Sequence, residues 1–199
     1  RPVAHRFAFL TAAAIVPLIL VGAGVTSKEA GMAFPDWPTS DSHLLNPPGW
    51  LSNNAKLWEH GHRLLGWFVG MLAIGLAAVT WRSGGWIRAC GVGVLVAIVV
   101  QGVMGGLRVR EVSTELALLH GVWGQLCFCL ACITALLTSR RWTESDRERI
   151  SAHRVVMFRR SCLAATVFVV VQLIVGGIYR HFEAQWALVG HIFWAVAVV

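Results

Sequence analysis

The chain has 199 residues, of which 56% are hydrophobic and only 14% charged, with a mean hydropathy of +0.64. Soluble domains carry about a quarter charged residues, so an ordinary soluble core is excluded. The formal net charge of +7 would suit nucleic acid if the basic residues formed one patch, but they are scattered between apolar runs.

In chain order, the apolar runs are about Phe7–Val25, Leu64–Thr80, Ala89–Leu107, Leu116–Thr138 and Ser161–Ile178, and a sixth starts near Trp186. Each of the first five approaches the roughly 20 residues a helix needs to cross the hydrocarbon. The pattern predicts an all-α, polytopic membrane helical bundle, with the sixth helix cut short at Val199. A signal peptide is the competing reading of the first run, because Arg1 and Arg6 precede it. A retained helix is expected, since further spans follow.

With alternating spans, eleven basic residues fall on one side: Arg1, Arg6, Arg82, Arg88, Arg140, Arg141, Arg147, Arg149, Arg154, Arg159 and Arg160. Six fall on the other: Lys28, Lys56, Arg63, Arg108, Arg110 and Arg180. This bias orients the protein in the cell's inner (cytoplasmic) membrane with its N-terminus cytoplasmic. It marks membrane lipid, not nucleic acid, as the charge partner.

The longest outer connection, about Thr26 to Leu57, holds Pro35, Pro38, Pro47 and Pro48 beside Trp37, Trp50 and Trp58. Prolines exclude continuous helix and tryptophans favour the headgroup level. An ordered outer cap with one short helix is expected. The segment Ser139–Phe158 reads as a solvated cytoplasmic linker. Cys90, Cys127, Cys129, Cys132 and Cys162 all lie in or beside spans and are expected as small buried packing groups.

Gln101, Gly105, Gly106 and His120 recur as Gln172, Gly176, Gly177 and His191, each shifted by 71 residues. A span ends in QxxxGG, an outer loop follows, and a histidine lies early in the next span. The glycines serve either close helix approach or room for a flat cofactor.

The second span opens Trp58-Glu59-His60-Gly61-His62-Arg63. Ionisable groups at a membrane boundary need a partner, a cavity or water. Glu59 shares a helix face with His62 and with Arg63, at spacings of three and four, so a carboxylate beside an imidazole is expected. Descending helices place His62, His120 and His191 at comparable depth near the outer side. No carboxylate–histidine cluster suits di-iron or closed zinc, and no CxxCH attachment motif is present. Facing imidazoles suit non-covalent haem, with His62 and His120 as one axial pair and His191 opening a second. Arg63, Arg108 and Arg110 are candidate propionate donors, with a plain charge-anchor role the equal alternative for Arg108 and Arg110.

Glu59-His60-Gly61-His62-Arg63 resembles the EHxHR signature of the haem A synthase family. Ala30-Gly31-Met32-Ala33-Phe34-Pro35-Asp36-Trp37-Pro38 is similar to its first outer-loop signature. Gln101-Gly102-Val103-Met104-Gly105-Gly106 with His120 resembles its third and fourth helices. The resemblance implies two pseudo-symmetric four-helix halves and oxidation of the C8 methyl of haem O to the formyl of haem A by successive hydroxylations, supplying terminal oxidase. It implies Glu59 as the catalytic carboxylate, and His62 and His120 as iron ligands of the substrate site. It implies His191 as the first ligand of a haem b electron relay. It also implies residues 1–139 as the substrate half, 140–160 as linker and 161–199 as the start of the haem b half. The partners it implies are haem O, an unidentified electron donor, and haem O synthase or oxidase assembly factors. Phe34 stands where many members have a loop cysteine, and Thr26 where an arginine commonly ends the first span. A cytochrome b-type electron carrier is the alternative, since it needs the histidines but not Glu59.

Overall fold

The computed structural model describes residues 2–143 and 152–198. Arg1, Arg147, Arg149 and the acidic residues Glu144, Asp146 and Glu148, all part of the topology and linker readings, lie outside the described residues.

The described chain is helical. α1 spans Pro2–Ser27, α2 Asn54–Trp81, α3 Gly85–Glu111, α4 Thr114–Thr138, α5 Arg140–Thr143, α6 Ala152–Phe182 and α7 Gln185–Val198. Five helices (α1, α2, α3, α4 and α6) are long and apolar enough to cross a membrane. The polytopic all-α expectation therefore holds.

Local chemistry explains the boundaries. Asn53 and Ser113 stand in extended conformation before α2 and α4, and their side-chain oxygens accept from the backbone N–H of Lys56 and Leu116 at 3.1 Å each. Each thereby satisfies a donor left free by the helix start. α3 stops where Val112 enters the left-handed region at φ 49°, and α6 stops where Glu183 does so at φ 52°. These two residues are also 71 apart, so the repeat extends to the turn itself.

α1 packs on α2 and α4, and α3 packs on α2 and α4, closing a four-helix ring in which α2 and α4 are diagonal neighbours. Small residues let the helices approach, as expected where lipid supplies no hydrophobic drive between them. Ala8 and Ala73 meet with Leu76 and Val94 in one buried cluster, while Ala12, Ile15, Val69 and Ala131 form the next. α6 and α7 form a hairpin leaning on α4. Large apolar side chains such as Phe9, Leu20, Met71 and Phe193 cover the outside, where lipid would meet them.

Two expectations need correction. The outer connection is ordered but has no helix; it is built from turns and one isolated bridge, Ser40 with His43. Of the cysteines only Cys127 is buried, whereas Cys129, Cys132 and Cys162 are exposed. Positions two apart on a helix point to different faces, so Cys129 could not share the buried side with Cys127.

Candidate haem site

His62 on α2 and His120 on α4 meet across the diagonal of the ring, with imidazole centroids 6.3 Å apart and planes inclined by 74°. A first-row metal sits about 2 Å from an imidazole nitrogen, and the ring centre lies roughly 1 Å behind it; two imidazoles on one ion therefore hold centroids roughly 6 Å apart. The centroid separation of this pair is of that size. Among the described residues no three His, Cys, Asp or Glu side chains gather as a metal cage.

The His120 ring is tied on both sides. Its Nδ1 lies 3.1 Å from the Gln101 carbonyl, and a carbonyl can only accept, so Nδ1 carries the proton and Nε2 keeps its lone pair. That is the usual second-sphere arrangement of a metal-binding histidine. The Gln101 amide donates to the His120 carbonyl at 3.0 Å and approaches Nε2 at 3.3 Å. Gly124, one turn below His120, leaves room for this amide: a Cβ there would sit 3.0 Å from Gln101 Nε2.

The second copy repeats the design. His191 Nδ1 lies 3.1 Å from the Gln172 carbonyl, and the Gln172 amide is 3.4 Å from Nε2. Trp123 donates to Ala97 O at 3.0 Å, and Trp194 to Phe168 O at 2.9 Å, again 71 residues apart. The glycines of both copies serve close approach. A Cβ on Gly105 would lie 2.8 Å from His120 Cε1, and one on Gly176 2.6 Å from His191 Cε1. Gly106 takes the Trp37 indole and Gly177 takes Leu118. His62 rests on Gly22 in the same way, at 2.9 Å, so each of three hairpins presents a histidine over a glycine. The structure brings His62 and His120 together and leaves His191 in the α6–α7 hairpin.

Glu59 faces the outer connection. Its carboxylate, 4% exposed with its residue, accepts from the backbone N–H of Ala33 at 2.6 Å and Phe34 at 3.1 Å, and from Arg63 at 2.5 Å. Arg63 also donates to the carbonyls of Asp36 at 2.7 Å, Thr39, and Phe34 at 3.3 Å. Both terminal amino groups of Arg63 are thus engaged by the loop and Glu59. His60 is buried too, with Nδ1 3.0 Å from Ser40 Oγ and Nε2 3.0 Å from Leu45 O, and Trp50 meets its ring edge-on at 4.9 Å. Three polar residues near the start of α2, Glu59, His60 and Arg63, thereby fasten the cap. The sequence signalled this only through the density of polar residues at a span boundary.

Within the cap, Asp36 accepts from Thr39 Oγ1 at 2.6 Å and from the N–H groups of Asp41 and Ser42 at 2.9 Å each. Burial pushes the Asp36 carboxyl up, but these hydrogen bonds outweigh it and bring it down to about 2. Asp41 and Ser42 adopt φ 48° and 66°, the turn that aims both N–H groups at Asp36. Arg108, half-buried on α3, reaches the loop with one long hydrogen bond, 3.4 Å to Gly31 O.

The fold defines a multi-pass helical membrane protein in which α2 and α4 bring His62 and His120 together. The chain belongs to the COX15-CtaA family of cytochrome oxidase assembly proteins, whose pattern matches residues 51–194. It is 30% identical to heme A synthase of Azorhizobium caulinodans over 147 residues, covering 66% of this chain and 42% of that protein. It is 34% identical to heme A synthase of Chelativorans sp. (strain BNC1) over 87 residues, covering 40% and 24%. A protoheme IX farnesyltransferase of Haloarcula marismortui matches at 33% over 128 residues, covering 61% of this chain and 27% of that protein. The chain spans under half the length of these relatives. No solved structure gives a significant match.

Proposed function

We propose that the protein is a haem A synthase, oxidising the C8 methyl of haem O to the formyl of haem A by successive hydroxylations. The observation that carries this reading is the His62–His120 pair, with ring centroids 6.3 Å apart, on a helix that also carries the buried Glu59 three residues before His62, in a family named for oxidase assembly. Bound haem supplies the redox chemistry; the chain supplies position, exclusion of water and protons.

In this reading His62 and His120 are the iron ligands of the substrate site, and His191 begins the site of a haem b relay. Residues 1–139 form the substrate half, 140–160 the cytoplasmic linker and 161–199 the start of the relay half, with the N-terminus on the cytoplasmic side of the inner membrane. The cap fastened by Glu59, His60 and Arg63 lies over the outer end of the ring and shields the porphyrin edge from water. Glu59 handles protons at that edge. Arg63 serves the porphyrin through the loop it fastens. Arg108, with one long hydrogen bond, supplies the cation for a propionate. Electron donor and haem O supply come from other proteins.

The engagement of Glu59 by Arg63 and two backbone N–H groups favours one second reading, an electron carrier in which Glu59 is structural. Extraction and mass analysis of porphyrin from protein expressed in a host making haem O but no haem A separates the two. Haem A or its hydroxylated intermediate in wild type, with haem O alone in Glu59→Gln, is the expected result. Haem b alone in both proteins would favour the carrier.

A further inference from the structure

The α3–α4 and α6–α7 hairpins match down to single hydrogen bonds: Trp123 donates to Ala97 O at 3.0 Å and Trp194 to Phe168 O at 2.9 Å. At this matched place the two copies differ in bulk. Phe168 lays its ring on Trp194, with centroids 4.9 Å apart and planes inclined by 21°. The first copy has the small Ala97 there, and one turn earlier it has Gly93 where the second has Ala164. Beside Ala97 and Trp123 lies a cavity of about 470 Å³ between α3 and α4. Its walls are apolar and include Gly93, Val96 and Ala97 from α3 and Trp123, Leu126 and Cys127 from α4. Val96 and Leu126 are 56% and 44% exposed, so it opens where lipid would meet the bundle.

The cavity is continuous in register with the histidine pair. Ala97 stands four residues before Gln101 on α3 and Trp123 three after His120 on α4, so both lie one turn from the Gln101–His120 contact, away from the α3–α4 turn. Its volume falls in the range of small-molecule sites, roughly 300–1,000 Å³. We propose that this cavity seats the isoprenoid tail of the substrate, an inference that deepens the haem A synthase reading and rests on it. Haem O carries a hydroxyethylfarnesyl chain where haem b has a vinyl group. The half assigned to haem O keeps an open apolar cavity, and the half assigned to haem b has the Phe168 ring in the matching place. Lipid is itself as apolar as such a wall. The seat therefore acts by shape: it fixes where the tail lies, and with it the rotation of the macrocycle about the iron axis.

The test uses the 199-residue chain in lipid nanodiscs, titrated with haem O and with haem b, and reads the ratio of the two affinities so that partition into lipid cancels between variants. Ala97→Phe, which copies the second hairpin, is expected to lower the haem O to haem b ratio by at least about tenfold, the lower end of what one methylene is worth in a hydrophobic pocket. Haem b affinity should stay within about twofold of wild type. Gly93→Leu fills the cavity from its other wall and guards against misfolding of the first variant; a Cβ at Gly93 meets only Leu130 Cδ2, at an ordinary 3.7 Å. The same fall in ratio is expected. A ratio unchanged in both variants would overturn the proposal, as would variants that shed a co-purified lipid and leave the ratio unchanged, which would make a lipid acyl chain the occupant. A wild-type chain that binds neither haem, or haem b alone, would instead count against the haem A synthase reading itself.

Discussion

Glu59 and Arg63, one turn apart on α2, form an ion pair of 2.5 Å with side chains only 5% and 11% exposed. The pair is completed by loop backbone on both sides: N–H groups of Ala33 and Phe34 on the carboxylate, carbonyls of Phe34, Asp36 and Thr39 on the guanidinium. A buried pair of this kind is tolerable because nearly every charge-bearing atom has a partner. Its effect is to make the cap and the start of α2 one unit.

Removing one partner leaves the other charge buried and uncompensated, at a cost of about 3–5 kcal/mol. Arg63→Ala is therefore expected to lower stability by that amount and to open the cap between residues 28 and 53. Limited proteolysis in detergent, with a thermal melt alongside, checks both. Arg82→Ala, on an exposed residue at the other side of the bundle, is expected to change stability by less than about 0.5 kcal/mol.

Acid should loosen the cap through Asp36. Its folded-state carboxyl titrates at about 2, below the ordinary 3.8. A depressed carboxyl contributes stability fully above its unfolded value, and this is lost as pH falls from about 4 through about 2. Fluorescence of the cap tryptophans Trp37 and Trp50 should follow that fall. Asp36→Asn should remove the transition in this window and give a looser cap at neutral pH.

The glycine under each histidine has no room for a methyl group. Gly105→Ala would place its Cβ 2.8 Å from His120 Cε1, and Gly22→Ala 2.9 Å from His62 Cε1. Either substitution should displace the imidazole and abolish low-spin haemin binding while circular dichroism keeps the helical signal. Gly70→Ala, with nothing within 4 Å of the added carbon, should bind as wild type.

Haem that binds only the folded state must stabilise it by mass action, by about 2.7 kcal/mol at a hundredfold excess over Kd. The melting temperature should rise with haemin in wild type. It should rise far less in His62→Ala/His120→Ala, where both axial donors are gone.

The spans, the outer cap and the histidine pair were legible in the sequence because each rests on a strong local signal: apolar length, proline and tryptophan clustering, and an offset repeat. The repeat was legible through Gln101 and Gln172, yet its third occurrence in α1–α2 was hidden. There the glutamine is replaced by Leu18, and the long cap separates Gly22 from His62. Helix spacing placed Glu59 and His62 on one face, but it could not show that loop N–H groups and Arg63 would draw the carboxylate toward the cap. The exposed cysteines were misjudged because composition does not say which face of a span meets lipid.

The central claim is that His62 and His120 hold one haem between them. Stoichiometric haemin titration of the purified chain, read by the Soret band and by low-temperature electron paramagnetic resonance, tests it directly. The account predicts a low-spin, bis-imidazole signal that is lost in both His62→Ala and His120→Ala. A wild-type chain that binds no haemin, or a signal unchanged in either variant, would contradict it.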